Sequence, residues 1–293
     1  MRIGIMGIGN MGRAIVDRLV EQGQSPVGVW NRTAAKAAGI DGTEQADTPA
    51  ALAAASDIVL SLLANDAAIE AAYFGQGGLC SAPLNGTVIV EMCTTSPERT
   101  QALEAAVTAK GGLFLECPVG GTIGPARSGS LLGLAGGTPE AFAAAEPALA
   151  LITRRLEHLG PVGHGAAMKL AINLPLMVYW GAVGEALGLA IGQGVDSEMA
   201  VSILVDSSGA IGAAKTRLPP VAKMRETGDP GGVSLSLANG VKDMKLMEAL
   251  AARHGVSSEV ITAARTKAEV AANEGWTGYD TSLYGIYGQG EDN

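Results

Sequence analysis

Short apolar runs alternate with alanine-rich helical segments over the first half of the chain. The apolar runs lie at residues 2–6, 26–30, 57–63, 86–91 and 112–116. Segments with helical periodicity separate them, at residues 11–22, 49–55, 67–72 and 97–109. Thr48 before Pro49 is typical of a helix N-cap followed by the first helical residue. This alternation is typical of βαβ units, so we predict an α/β domain with a doubly wound, mostly parallel sheet over residues 1–162.

The hydrophobic pattern changes after about residue 160, where helical periodicity replaces strands. One long apolar segment covers residues 165–193 and is interrupted only by Pro175, at which we expect a bend or break in the helix. Further helical segments lie at residues 197–205, 213–223, 235–254 and 257–273. We predict an all-α domain over residues 163–293 that begins with a long interdomain helix.

Hydropathy and cysteine content indicate the cellular compartment of the protein. The most apolar part of the long segment, Leu170 to Gly184, includes the polar Asn173 and is shorter than the ~20 residues that a membrane-spanning helix needs. We interpret it as a buried helix and predict no membrane partner. Residues 1–6 have a strand pattern rather than the layout of a signal peptide, and the three cysteines form no CxxC pair. These observations predict a reducing, cytoplasmic location.

Charge and metal-binding residue types exclude two functional classes. The formal net charge is -9 at pH 7, and the sequence has no basic stripe that could neutralise a nucleic acid backbone. The three cysteines and three histidines show no zinc-binding spacing. We therefore predict neither a nucleic acid partner nor a metal site. A local group of arginine and backbone N–H groups can still bind a small anionic cofactor.

A GxGxxG motif, formed by Gly7, Gly9 and Gly12, stands between the first predicted strand and the first predicted helix. The first glycine permits a tight turn, the second lets the backbone approach a pyrophosphate, and the third packs the helix against the strand. Asn10 and Met11 begin the helix, whose N-terminal N–H groups and dipole attract phosphate. The motif alone is weak, but this context predicts a Rossmann dinucleotide-binding domain.

The end of the second predicted strand indicates which dinucleotide binds. NAD-binding domains usually have an acidic residue there, which binds the ribose 2′-hydroxyl. This chain has Asn31, Arg32 and Thr33 instead. An arginine next to a small hydroxyl suits a 2′-phosphate, because its planar fork makes charge-assisted hydrogen bonds with phosphate oxygens. We predict NADP(H) as the cofactor.

A lysine and an asparagine share one face of the long apolar helix. Lys169 and Asn173 are four residues apart, and Trp180 returns to nearly the same angle as Lys169. Polar side chains in an apolar helix are costly unless something polar meets them, so we expect a buried site here. An ammonium can stabilise the oxyanion formed when hydride is transferred to a carbonyl, and can then donate its proton. Lys169 is therefore a candidate acid/base; the alternative is a lysine that extends into solvent.

With these motifs in this order, the chain resembles the β-hydroxyacid dehydrogenase family, which includes 3-hydroxyisobutyrate dehydrogenase and tartronate semialdehyde reductase. The resemblance covers essentially the whole chain and includes a late Lys242-Asp243 pair. It implies that Lys169 is the catalytic acid/base and that Asn173 is its partner. It also implies a set of residues that contact the cofactor: Gly7, Gly9, Asn10, Met11, Gly12, Asn31, Arg32, Thr33, Leu63, Ala64, Thr94 and Lys242.

The chain departs from the family pattern at two loops. Cys93-Thr94 stands where many members have Ser-Thr. In the stretch from Glu116 to Thr122, Gly120 replaces the serine that usually binds the substrate carboxylate. A glycine still offers its backbone N–H, and Thr122 supplies a hydroxyl. The predicted substrate-binding residues are Gly120, Gly121, Thr122 and Trp180.

Three functions remain open. The leading one is NADPH-dependent reduction of a small aldehyde or semialdehyde acid, or the reverse oxidation of a hydroxy acid, by a homodimer. The second is imine reduction or reductive amination; imine reductases resemble this architecture but commonly have aspartate or tyrosine where Lys169 stands. The third is a non-catalytic NADPH sensor, which has no need of a buried proton donor. Near the C-terminus, Trp276, Tyr279 and Asp280 either close the substrate pocket or form a structural cap.

Overall fold

The computed structural model describes residues 1–289, and these form two compact units. The first is Met1–Leu170, and the second begins at Ala171. The two units thus divide within the long helix, eight residues after the predicted domain boundary at residues 162/163, which stays a prediction. The helix is divided because its first turn is hydrogen-bonded to Glu116, a strand residue of the first unit.

The first unit is built on a nine-stranded sheet. Its strands are β1 (Ile3–Met6), β2 (Val27–Trp30), β3 (Thr43–Gln45), β4 (Ile58–Ser61), β5 (Val88–Glu91), β6 (Leu113–Glu116), β7 (Val119–Gly120), β8 (Leu131–Gly137) and β9 (Thr153–His158). They lie in the order β3-β2-β1-β4-β5-β6-β8-β7, with β9 paired to β8. Strands β1 to β6 are parallel and have the doubly wound order that places a ligand at the carboxyl ends of β1 and β4.

Four strands lie outside the segments that the sequence pattern predicted. The edge strand β3 consists of Thr, Glu and Gln, and β9 has the sequence Thr-Arg-Arg-Leu-Glu-His. Both are largely exposed, so neither shows the apolar run that marks a buried parallel strand. Strands β7 and β8 form an antiparallel pair rich in glycine. For the polar strands β3 and β9, pairing with the backbone of the neighbouring strand, rather than local hydrophobicity, selects the segment.

Helices cover both faces of the sheet. They are α1 (Asn10–Glu21), α2 (Pro49–Ala54), α3 (Asp66–Phe74), α4 (Pro97–Ala109), α5 (Ile123–Arg127) and α6 (Pro139–Leu149). Apolar residues of α1, α5 and α6 form one buried cluster with the sheet, and those of α2, α3 and α4 form another. The predicted start of α2 is confirmed, because the Thr48 hydroxyl accepts the Ala51 N–H and Pro49 is the first helical residue. The predicted α/β architecture is thus confirmed.

The second unit is helical over the residues described. It continues α7 (His164–Gly192) and adds α8 (Ser197–Asp206), α9 (Ala214–Arg217), α10 (Pro219–Thr227), α11 (Leu237–His254) and α12 (Glu259–Asn273). Helix α7 is continuous across Pro175, so no break occurs there, and the expected bend stays a prediction. The single helix predicted at 213–223 is two helices, since Pro219 favours the first turn of a new helix.

A C-terminal segment packs on α7 within the second unit. The Tyr284 hydroxyl donates to the Met177 carbonyl at 2.6 Å. A Cβ atom at Gly184 would clash with the backbone of Gly285, so the helix offers a glycine where this segment approaches. Asp280 accepts a hydrogen bond from buried Arg217 and caps the following 3-10 turn through the Ser282 N–H. These contacts favour the structural-cap interpretation of Asp280.

Helix α7 is long and apolar enough, by length and composition alone, to cross a membrane. One helix of this kind is weak evidence for a span, because the core helices of globular domains satisfy the same criteria. Of its most apolar 18-residue window, 33% is buried inside the protein. The segment interpreted from the sequence as a buried helix is therefore partly buried: Leu170, Met177 and Trp180 are covered, whereas other residues of α7 are exposed.

Candidate cofactor and catalytic site

The turn between β1 and α1 has the geometry that its three glycines predict. Gly7 has a φ of +108°, a region that residues with a Cβ rarely adopt, and a Cβ there would clash with the Leu62 carbonyl. A Cβ at Gly12 would clash with the Gly7 carbonyl. Gly9 is exposed and has no atom within 4 Å of a Cβ position. Gly7 and Gly12 thus hold the turn together, and Gly9 leaves space for a ligand.

The N-terminus of α1 is suited to an anion. Gly9 is the N-cap, and within residues 1–289 no side chain caps this helix and no acidic residue lies in its first turn. The first backbone N–H groups of a helix need acceptors, and the helix dipole adds partial positive charge. Asn10 and Met11, predicted to contact the cofactor, begin this turn. A pyrophosphate would supply the acceptors, so these residues fit a dinucleotide.

A cleft of about 220 Å³ brings most of the predicted cofactor residues together. The predicted residues that line it are Gly7, Gly9, Asn31, Arg32, Thr33, Leu63 and Ala64. Residues that sequence reasoning missed also line it: Trp30, Lys36, Leu62, Ala68 and Ala71. Ala68 and Ala71 belong to α3, and an alanine in a helix gives no sequence signal for a ligand contact. Lys36 lies in the short 3-10 turn that follows Thr33. Its positive charge only four residues after Arg32 is a sequence signal that could have identified it.

Asn31 connects the glycine turn to the predicted phosphate-binding residues. Its Oδ1 accepts the Ile8 N–H at 2.9 Å, and its Nδ2 donates to the Thr33 carbonyl at 3.0 Å. The Gly7 N–H also donates to the Trp30 carbonyl at 2.8 Å. Arg32, Thr33 and Lys36 are exposed at the rim of the cleft. The structure therefore presents two cations beside the strand end where NAD-binding domains carry an acid.

A buried carboxylate organises the next two loops. Glu91, at the end of β5, accepts hydrogen bonds from the Ser61 and Tyr73 hydroxyls at 2.8 Å and from the Cys93 N–H at 2.9 Å. The Cys93 sulfur accepts the Leu63 N–H at 3.0 Å, so the cysteine that replaces the usual serine still joins the two loops. Burial raises the pKa of the Glu91 carboxyl, against the hydrogen bonds from Cys93, Ser61 and Tyr73, which lower it.

Thr94 follows this buried group and is half-buried, but it is not among the residues that line the cleft. Its predicted contact with the nicotinamide stays a prediction. Cys117, in the next loop, is completely buried, and burial raises the pKa of its thiol to about 12. This thiol is therefore protonated at neutral pH and is unsuited to act as a nucleophile.

The predicted substrate loop leaves the sheet at the same edge. Gly120 ends the short strand β7 and is half-buried, while Gly121 and Thr122 are exposed. Thr122 stands immediately before α5, and its hydroxyl does not cap that helix. The Thr122 hydroxyl thus lies at an accessible surface, whereas Gly120 is paired with Leu132 in the antiparallel ladder, so its predicted backbone contact with the substrate gains no support.

The predicted catalytic residues lie on α7. Lys169 belongs to the first unit and is half-buried, so the expectation of a buried lysine is corrected: its side chain retains contact with solvent. Asn173 belongs to the second unit and is buried, with 8% of its surface exposed. Lys242, on α11, lies 3.2 Å from Asp243 between Nζ and Oδ1. The roles of Asn173 and Lys242 stay predictions.

Trp180 is completely buried within the second unit, where the Arg217 guanidinium lies 4.8 Å from its ring centre. It therefore exposes no surface to a substrate in this packing, and its predicted substrate contact gains no support. Among the residues described, no group of three or more His, Cys, Asp or Glu side chains could hold a metal ion.

Two family models together cover almost the whole chain. Residues 2–160 match the NAD binding domain of 6-phosphogluconate dehydrogenase. Residues 163–286 match a domain described as NAD-binding of NADP-dependent 3-hydroxyisobutyrate dehydrogenase. The junction between the two matches lies at the start of α7.

Curated relatives match over most of their length. Glyoxylate/succinic semialdehyde reductase 1 of Arabidopsis thaliana is 32% identical over 90% of this chain and 90% of its own. The 3-hydroxyisobutyrate dehydrogenase of Pseudomonas aeruginosa is 30% identical over 83% of both chains.

Solved structures with bound nucleotides are also similar. Psf3 in complex with NADP+ and 2-OPP is 26% identical, with a TM-score of 0.83 over 97% of this chain and 98% of that one. The reductive aminase from Aspergillus terreus in complex with NADPH and ethyl levulinate is 26% identical, with a TM-score of 0.63 over 97% of both chains.

Proposed function

This chain belongs to the β-hydroxyacid dehydrogenase family and is an NADP(H)-dependent oxidoreductase, and from this premise we propose that it interconverts a small β-hydroxy acid and its aldehyde or semialdehyde. The observation that carries the proposal is the presence, in one compact unit, of the dinucleotide cleft and of Lys169 near the start of α7. A nucleotide sensor requires the first feature but not the second.

The cofactor is held by groups that each suit one part of NADP(H). The open N-terminus of α1 receives the pyrophosphate, and Gly9 lets it approach the backbone. Arg32, Lys36 and the Thr33 hydroxyl, which line the cleft together, would hold the 2′-phosphate through charge and hydrogen bonds. When bound, NADPH supplies the hydride. The absence of an acid at the end of β2 leaves nothing to favour the 2′-hydroxyl of NADH.

Lys169 acts on the substrate oxygen. As hydride reaches the carbonyl carbon, negative charge develops on oxygen, and the ammonium stabilises that charge and donates a proton to it. In the oxidative direction the neutral amine accepts the hydroxyl proton. Partial exposure of Lys169 lets the side chain exchange its proton with water between turnovers. Asn173, one turn further along α7, orients the lysine or the substrate oxygen.

The substrate carries a carboxylate that binds the 120–122 loop. The relatives named for glyoxylate, succinic semialdehyde and 3-hydroxyisobutyrate all act on short acids by their names. In this chain the exposed Gly121 backbone and the Thr122 hydroxyl take the place of the missing serine. Backbone donors of this kind bind anions without a charged side chain.

The test follows NADPH absorbance against short aldehyde acids, matched neutral aldehydes and cyclic imines, with wild type, Lys169→Ala and Lys110→Ala. A proton donor of this kind contributes about 10²–10⁴-fold, so turnover of an aldehyde acid should fall by that factor in Lys169→Ala. Lys110, an exposed lysine at the C-terminal end of α4, is the matched control and should leave the rate unchanged. Activity that is independent of Lys169 contradicts the mechanism.

A second candidate is imine reduction, favoured by the similarity to the reductive aminase. Lys169 weighs against it, because imine reductases commonly have aspartate or tyrosine at this position. Faster turnover of cyclic imines than of aldehyde acids would select this function. NADPH binding without turnover of any carbonyl or imine would select the sensor.

We further propose a cytoplasmic homodimer. The second unit exposes apolar side chains, including Leu189 at 78% and Ile203 at 61%, and α7 is only partly covered by its own chain. Light scattering after size-exclusion chromatography should give twice the mass of one chain. A monomer at micromolar concentration contradicts this part of the proposal.

A further inference from the structure

A second buried carboxylate lies at the end of β6, where the chain enters the 117–122 loop. Oε1 of Glu116 accepts the backbone N–H groups of Gly163 and Gly165 at 2.7 Å each, and that of Ala166 at 3.3 Å. Glu116 is completely buried, and all of these groups belong to the first unit. One oxygen atom thus receives three donors from a segment 47 to 50 residues away in sequence.

These three donors are the ones that a helix leaves without partners. The Ala167 N–H donates to the Gly163 carbonyl at 3.0 Å, which makes Gly163 the N-cap of α7. An N-cap residue normally satisfies the first-turn N–H groups through its own side-chain oxygen. Glycine has no side chain, so α7 cannot cap itself. Glu116 supplies the missing oxygen from β6, through Oε1.

The surrounding residues leave space for this carboxylate. A Cβ atom at Gly136, the register partner of Glu116 on β8, would clash with Oε1 of Glu116. A Cβ atom at Gly165 would clash with the Leu134 carbonyl and lie 3.1 Å from the same Oε1. Gly163 itself has a φ of +105°. Gly136 thus leaves space for the carboxylate, Gly165 lets α7 approach β8 closely, and Gly163 adopts the backbone conformation that starts the helix.

Glu116 joins two segments that have proposed functions, the substrate loop and the start of α7. The chain continues from Glu116 into the loop that holds Gly120 and Thr122, and α7 continues from Gly163 to Lys169, six residues later. A helix is rigid over so short a distance, so the cap fixes where Lys169 emerges relative to β6. Loss of the cap would release the first turn of α7 and move Lys169 with it.

We propose that Glu116 is a positioning residue, which holds the first turn of α7 on β6 and thereby sets Lys169 against the substrate loop. This inference rests on the proposed function of Lys169. Glu116 contacts neither substrate nor cofactor in this role, and it acts only through the backbone of α7.

The test uses Glu116→Asp, Glu116→Gln and, as matched control, Glu146→Gln, an exposed glutamate on α6. Asp is one methylene shorter, which withdraws the carboxylate by about 1.5 Å and breaks the N–H contacts. Misplacement by ~1 Å can cost about 10²-fold in rate, so kcat on the aldehyde acid should fall by that factor in Glu116→Asp. The dissociation constant of NADPH, measured by fluorescence, should stay within about twofold of wild type because the cofactor cleft is untouched.

Glu116→Gln keeps one acceptor oxygen at full length, so its loss of kcat should be smaller than that of Glu116→Asp. It is also nearly isosteric, so it gives a folded variant if Glu116→Asp does not fold. Each variant is then combined with Lys169→Ala. If Glu116 acts through Lys169, its substitution should cost little in the Lys169→Ala background. An equal loss in both backgrounds overturns the proposal.

Hydrogen exchange separates this proposal from the proposed function. Amide exchange at residues 163–166 should accelerate in Glu116→Asp and stay unchanged in Glu146→Gln, whether or not the enzyme turns over aldehyde acids. Unchanged exchange in Glu116→Asp overturns the cap itself. If Lys169→Ala keeps full activity while exchange accelerates as expected, the proposed function fails and only the structural half of the inference stands.

Discussion

Glu91 and Glu116 are register partners at the carboxyl ends of neighbouring parallel strands, and both side chains are completely buried. Buried acids are rare unless they accept hydrogen bonds. Here each one accepts backbone N–H groups from a segment that leaves the sheet: Glu91 from Cys93, and Glu116 from the first turn of α7. The loops at the carboxyl edge of the sheet are thus fixed by acids, and the cofactor cleft lies at this same edge.

The first prediction concerns the pH dependence that Glu91 confers on stability. Burial raises its pKa above 4.5, so the folded protein binds the proton more tightly than the unfolded chain. Its stabilising contribution is then complete below the unfolded pKa and is lost as pH rises through the folded pKa. Glutamine does not ionise, so the Glu91→Gln variant does not lose this contribution to stability as pH rises. The free energy of unfolding of the variant relative to wild type, measured in urea, should therefore rise between pH 4 and pH 8. A constant difference, like that expected for the exposed control Glu146→Gln, contradicts the prediction.

The second prediction concerns cofactor choice. Arg32→Gln should weaken NADPH binding by about 10–100-fold, because hydrogen bonds to a charged group contribute about 1.5–3 kcal/mol. NADH has no 2′-phosphate, so its dissociation constant should change by less than about threefold. Arg154→Gln, an exposed arginine on β9, is the control and should affect neither nucleotide. Equal losses for NADPH and NADH would place Arg32 elsewhere than at the 2′-phosphate.

The third prediction separates two glycines of one motif. A Cβ at Gly9 meets no protein atom within 4 Å, whereas a Cβ at Gly12 would clash with the Gly7 carbonyl. Gly9→Ala should melt close to the wild-type temperature yet bind NADPH at least about tenfold more weakly, because the methyl occupies the approach of the pyrophosphate. Gly12→Ala should lower the melting temperature as well. Thermal unfolding and NADPH titration measure the two effects, and a destabilised Gly9→Ala would refute the assignment.

The fourth prediction concerns the ion pair that joins α9 to the C-terminal segment. Burial alone would raise the pKa of the Asp280 carboxyl, but the Arg217 charge and hydrogen bonds from Arg217 and Ser282 hold it below its usual value. Asp280→Asn leaves Arg217 buried without its partner charge and should cost about 3–5 kcal/mol of unfolding free energy at pH 7.

The contribution of Asp280 to stability depends on pH with a sign opposite to that of Glu91. A depressed folded pKa contributes stability above the unfolded pKa, and this is lost as pH falls through the folded value. The difference between wild type and Asp280→Asn should therefore shrink below pH 4. Asp229→Asn, which removes an exposed acid paired with Lys223, should cost much less at pH 7. A difference that stays constant down to pH 2 would contradict the role of the charge.

The sequence by itself determined the parts of this protein whose cause is local. The apolar runs predict β1, β2, β4, β5 and β6, and the glycines at 7, 9 and 12 predict the turn that the structure contains. The place of Arg32 and Thr33 in the cleft was also predictable, because they directly follow β2 and a short stretch of chain determines where that strand ends. Lys169 and Asn173 are four residues apart on a helix that the pattern predicts.

Only the tertiary structure decided what depends on distant partners. Strands β3 and β9 are polar and exist because a neighbouring backbone pairs with them. Nothing near Glu116 in sequence indicates that it caps a helix 47 residues later, and nothing near Arg217 indicates Asp280, 63 residues away. The exposed surface of Lys169 and the burial of Trp180 are likewise set by packing. Periodicity and motifs indicate which local structure a segment favours. Hydrogen bonds between distant segments depend on how the whole chain folds, so no local pattern predicts them.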